Sequence, residues 1–203
     1  MLQADDRQPA LAPATTGVAR WVPRALAAVG GGTAISVGDH LFHVRTRVLV
    51  HHWHPQWDGQ TLVVFPIFMA AAALMLAVAT PFVGRTPRPS WARVVLAGAC
   101  FFAAYAFTGQ VGTDHPAWCL VVLLATWLLR LAFEPHRRAA VLLGLLIGVG
   151  GGAGEAAVSA LGLFTYVHQD VAGVPLWLLP LYLHGAPAVL ALARLVQVEP
   201  DPT

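Results

Sequence analysis

Charge is scarce in this chain of 203 residues: 11% is charged against 57% hydrophobic, and the mean hydropathy is +0.65. Water-soluble domains carry about a quarter of their residues as charges, so the scarcity excludes a soluble globule and makes lipid the solvent. Cysteine is scarcer still. Only Cys100 and Cys119 occur, each inside an apolar run, which excludes a disulfide framework and a paired-cysteine metal site and predicts two buried, inert thiols. Lysine is absent, all twelve basic residues being arginine, and with the excess of Ala, Gly and Leu this points to a GC-rich bacterial genome. The first 17 residues lack a basic stretch followed by an apolar one, so no cleaved signal is predicted and the first hydrophobic helix is expected to act as its own insertion signal. Segments outside the apolar runs are too short for a soluble domain with its own core, and no nucleic-acid partner is expected.

What the chain does have is a series of apolar runs, each about the length that a spanning helix needs. Six candidates are legible: 22–42, 61–83, 91–110, 117–133, 139–163 and 174–197. The breaks between them hold helix breakers, Pro55, Pro87, Pro89, Pro116, Pro135 and Pro175. The first run is the poorest in large apolar residues and suits a helix packed inside a bundle. The expected fold is therefore an all-α membrane protein, a six-transmembrane-helix bundle over 21–198, with short tails at 1–20 and 199–203.

Arginine fixes the expected orientation. Six spans put Arg7, Arg20, Arg24, Arg85, Arg88, Arg93, Arg130, Arg137, Arg138 and Arg194 on one side and only Arg45 and Arg47 on the other. Ten against two predicts that both termini are cytoplasmic, in the cytoplasmic membrane of a bacterium.

Two constellations could carry chemistry. His43, His51, His52, His54, His115 and His168 fall near the outer surface with Asp58, Asp114 and Asp170, and of these His51, His52, His54, His115 and His168 are the candidate metal ligands. Imidazole and carboxylate together are the ligands of zinc or non-haem iron, so a metal-dependent membrane enzyme acting on a lipid is one reading. Solvated histidines beside headgroups are the blander one, and no metal or other cofactor is required. The second constellation is the set of ionisable groups at membrane depth: Asp39, His40, Glu155 and His184. Glu155 ends the run Gly-Val-Gly-Gly-Gly-Ala-Gly-Glu, whose glycines let a backbone or a ligand approach closely. Its carboxyl is expected either to hold a lipid hydroxyl or to bond Ser159 or His184. Pro66 and Pro180, with Pro187 further along, are expected to kink their helices and open gaps.

Together these features resemble the Insig (insulin-induced gene) family. Gly162-Leu163-Phe164-Thr165-Tyr166, Asp170, Trp177, Gly185 and Arg194 are similar in register to the family's Gly-Val-Tyr-Gln-Tyr, the following Asp, a Trp, a Gly pair and an Arg. Phe133-Glu134 with Arg137 resembles its Phe-Asp-Arg-Ser-Arg loop, while Pro66, Pro81 and Trp91 match a Pro, a second Pro and a Trp further upstream. The resemblance implies a non-catalytic sterol-sensing fold with a central cavity for an amphipathic lipid. The family's sterol-contacting aromatic falls on Phe101, and its Gln falls at Ala117 or Trp118, so the sterol-specific polar contact is missing. A two-tailed neutral lipid such as diacylglycerol, or a phospholipid, becomes the expected occupant, in a pocket drawn from Phe101, Tyr105, Ala117, Trp118, Glu155 and Ser159. Glu134 takes the place of the family's partner-binding acid. The eukaryotic partners, the escort protein Scap and hydroxymethylglutaryl-coenzyme A reductase, are expected to be absent from a bacterium, and a homo-oligomer is compatible with the Gly-rich faces.

Overall fold

Helix starts in this chain follow local chemistry. After Pro87 and Pro89, Ser90 caps the next helix by accepting a hydrogen bond from the Arg93 amide at 3.3 Å. Pro116 opens another at its first position, where a missing N–H costs nothing. The structure, a computed structural model, describes residues 17–84 and 87–197. Most of the expected tails, together with Arg7 and Arg85 of the arginine count, lie outside the described residues.

Among the described residues there are six long helices: α1 (Gly17–Asp39), α2 (Val64–Val83), α3 (Trp91–Val111), α4 (Pro116–Phe133), α5 (Arg137–Ala160) and α6 (Leu178–Leu195). Each falls within or across one predicted run. A π turn, His40–Val44, extends α1, and two short strands, β1 (Leu49–His51) and β2 (Phe164–Tyr166), pair antiparallel with Val50 opposite Thr165. Helices α2 to α6 are long and apolar enough to cross a membrane. Helix α1 falls short of that composition because Gly30, Gly31, Gly32, Thr33, Ser36 and Asp39 dilute it. It is also not enclosed, as its run suggested. Gly32 packs against the backbone of Phe68 and Met69, yet Trp21, Leu26 and Val29 are exposed.

Helix α6 is the axis of the bundle and by far the most buried of the five apolar helices, with Leu178, Leu181, Leu183, Ala186 and Leu190 all enclosed. Elsewhere large apolar side chains such as Leu74, Val95, Leu128 and Val149 point outward, as a bundle bathed in lipid allows. Two apolar cores fill the interior. One gathers Tyr105, Leu123, Tyr166, Trp177 and Leu181, and the other Leu76, Ala79, Leu143, Ile147 and Leu190.

Pro66 and Pro180 do not kink their helices. Each stands at the third position, in the first turn, where there is no intrahelical N–H bond for proline to remove. The interior prolines are Pro23, Pro81 and Pro187.

The lead-ins to α2 and α6 repeat one device. Asp58-Gly59 and Ala172-Gly173 both have positive φ, inside turns closed by the bridges Trp57 to Gln60 and Val171 to Val174. In each the proline follows the glycine by seven residues. The strand before each turn joins the other, β1 running antiparallel to β2.

Candidate functional site

Polar groups inside an apolar bundle must find partners within the protein. The chain has three tyrosines, and all three donate to two carboxylates near the strand end of the bundle. Tyr166 and Tyr182 each give a phenol proton to Glu155, one to each oxygen. Tyr105 donates to Asp39 Oδ1 at 2.8 Å.

Asp39 sits where α1 passes into the π turn. Gln60 Nε2 donates both to its Oδ2, at 3.3 Å, and to the Ser36 carbonyl, at 3.2 Å. His43 Nδ1 approaches Oδ1 at 3.5 Å, and His51 Nε2 approaches Oδ2 at 3.9 Å, both at ion-pair distance without a hydrogen bond. On its other side the His43 ring meets the Thr108 hydroxyl at 2.8 Å. That hydroxyl gives its one proton to the Tyr105 carbonyl at 2.7 Å, so it accepts from His43, and Nε2 carries the proton. The ring edges of Tyr105 and Trp177 close over His43, and Trp177 Nε1 donates to the Gly112 carbonyl at 3.0 Å.

Some glycines of α5 pack against α6 and others stay bare. Gly144, Gly148 and Gly151 lie against Leu183, Leu179 and Tyr182 of α6, the small-residue spacing that lets two helices approach closely. Gly152, three residues before Glu155 and so beside it on the helix surface, meets nothing where a side chain would begin; Gly150 and Gly154 are equally bare but point to another side of α5.

Not every expected pocket residue joins this site. Phe101 stacks on Tyr105 with ring centroids 5.7 Å apart, and its ring edge packs over Gly185. Ser159 is half-buried on α5, its hydroxyl beside Gly173. Ala117 and Trp118 are exposed on the outer surface of α4, Trp118 to 60%. Glu134 lies at the other end of the bundle, paired with Arg93 at 3.1 Å.

The outer histidines do not converge. His51 is buried against Asp39, His52 meets Thr165 at 2.8 Å, His54 lies against Trp53, His115 is exposed ahead of α4, and His168 pairs with Asp170 at 3.0 Å. Among the described residues no three His, Cys, Asp or Glu side chains gather as metal ligands. His184 also departs from expectation: it faces the Leu123 carbonyl at 3.0 Å and not Glu155.

Sequence reasoning missed Tyr166 and Tyr182 as the partners of Glu155, and His43 and Gln60 as buried groups. The usable signal was the rarity of tyrosine in a chain where every buried carboxylate needs a donor.

No protein-family profile and no curated protein matches this chain. Two solved structures do: the mycobacterial Insig homolog MvINS from Mycobacterium vanbaalenii, and a cross-linked trimer of a variant of MvINS. For each the TM-score is 0.75 over 86% of this chain and 94% of that one, at 22% identity. This chain has the Insig fold. That fold, together with five helices long and apolar enough to cross a membrane, supports a multi-pass integral membrane protein.

Proposed function

We propose that this Insig-like protein spans the bacterial cytoplasmic membrane six times, with both termini cytoplasmic, and binds a lipid in the bundle without transforming it. The observation that carries the reading is Glu155. A carboxylate held by two phenols, with the bare surface of Gly152 one turn away, offers polar oxygens next to an open stretch of an apolar helix. Each of its oxygens keeps a second lone pair for a ligand hydroxyl. A neutral lipid with one free hydroxyl and two tails, diacylglycerol, suits that arrangement, and a sterol-like lipid presents the same hydroxyl.

Ser159 stands one turn from Glu155 and extends the polar strip, whereas Ala117 and Trp118 belong to the lipid-facing rim. Glu134 is kept as the residue that a protein partner would meet. A homo-oligomer is the natural assembly to test, given the cross-linked trimer of MvINS. The scatter of the histidines gives a metal-dependent enzyme no comparable support.

Titrating the purified protein with dioctanoylglycerol tests the proposal. The melting temperature should rise with ligand concentration, and Glu155→Gln should abolish most of the rise. An unchanged melting curve in the wild-type protein contradicts it.

A further inference from the structure

The opposite end of the bundle holds a cavity of about 400 Å³ between α3, α4 and α6. Arg93, Arg130, Arg194 and Glu134 line it, with Leu96 and Phe133 among its apolar walls. Three guanidinium groups thus face one carboxylate. Arg93 pairs with Glu134 at 3.1 Å, whereas Arg130 donates to the carbonyls of His184 at 2.9 Å and Ala97 at 3.2 Å and, among the described residues, pairs with no carboxylate.

Arg194 is the unexplained group. It is only 5% exposed, and its Nε has no hydrogen-bond partner among the described residues. A guanidinium Nε–H taken out of water without an acceptor is costly, and an anion reaching it through the cavity would supply one. The neighbouring His136 responds to the same excess: burial and then the charge of Arg194 push its pKa below the usual imidazole value.

We propose that this cavity binds a phosphate group, that of an anionic phospholipid, held by Arg194 and Arg93. The planar fork of arginine matches phosphate oxygens with paired hydrogen bonds, and basic pockets between spanning helices are recognisable headgroup sites. Leu96 and Phe133, exposed to 64% and 80%, supply apolar surface at the mouth, along which acyl chains can lie. A freely soluble phosphate offers the same oxygens without the chains. This site stands apart from Glu155 and does not depend on the proposal made for it.

Native mass spectrometry of the full chain in neutral detergent tests it, with dioctanoyl phosphatidylglycerol, dioctanoyl phosphatidylcholine and inorganic phosphate as probes. Phosphatidylglycerol should bind about tenfold more tightly than phosphatidylcholine. Arg194→Gln and the more exposed Arg93→Gln should each weaken it about tenfold, the loss of one charge-assisted contact, while dioctanoylglycerol binding stays unchanged. Inorganic phosphate that binds as tightly, with the same arginine dependence, would support the phosphate site and make its source soluble. Equal retention of the two phospholipids, or binding indifferent to both substitutions, overturns the proposal.

Discussion

Glu155 and its two tyrosines tie stability to binding at the scale of single residues. Replacing Glu155 by Ala strands two phenols without an acceptor, at about 1–3 kcal/mol for each buried group, so a thermal melt should show a drop of several degrees. Glu155→Gln keeps an acceptor for one phenol and should fall between the two. Asp39 carries more partners, and Asp39→Ala leaves Tyr105, Gln60 and His43 facing an empty site. Its cost should be about 3–5 kcal/mol, that of breaking a buried charged network, measurable by denaturant unfolding in micelles. Asp39 and Glu155 were legible as ionisable residues inside apolar runs. Their partners were not, because Tyr166 arrives on a strand beyond the end of α5, and the π turn carries His43 from the expected outer surface to 1% exposure.

At the scale of elements, α5 is the helix whose composition says most. In lipid, helices gain little from apolar burial against one another, and close backbone approach supplies the attraction instead. Gly148→Leu would drive a side chain into Leu179 and separate α5 from α6, so the protein should lose several degrees of melting temperature or fail to accumulate. Gly152→Leu meets open space. It should leave the melting temperature of the lipid-free protein nearly unchanged while weakening retention of a lipid beside Glu155. The six runs and their breakers could be read from the sequence because apolar length and proline position are local properties. Which glycines of that run pack and which stay bare could not, since that depends on where α6 lies. Pro66 and Pro180 illustrate the same limit: their effect follows from a helix start a few residues away.

For the molecule as a whole, α6 is the buried axis, and the hairpins α1–α2 and α5–α6 meet around it through the β1–β2 pair. Two polar centres result, a carboxylate and tyrosine network at the strand end and an arginine cavity at the other. Arginine segregation predicts that both termini face the cytoplasm. Fusing alkaline phosphatase or a fluorescent protein to each terminus checks this: the phosphatase should be inactive and the fluorescent protein bright at both ends. The fold itself was legible through the resemblance of Gly162 to Tyr166, Trp177 and Arg194 to Insig motifs, although no single stretch was decisive. The central claim is that the bundle holds a lipid, and native mass spectrometry of the protein released gently from its own membrane, with lipid analysis of the same sample, tests it most directly. The account predicts one neutral, hydroxyl-bearing lipid per chain, retained by the wild-type protein and lost from Glu155→Gln; a protein that leaves the membrane with no bound lipid, or keeps the same lipid after that substitution, would contradict it.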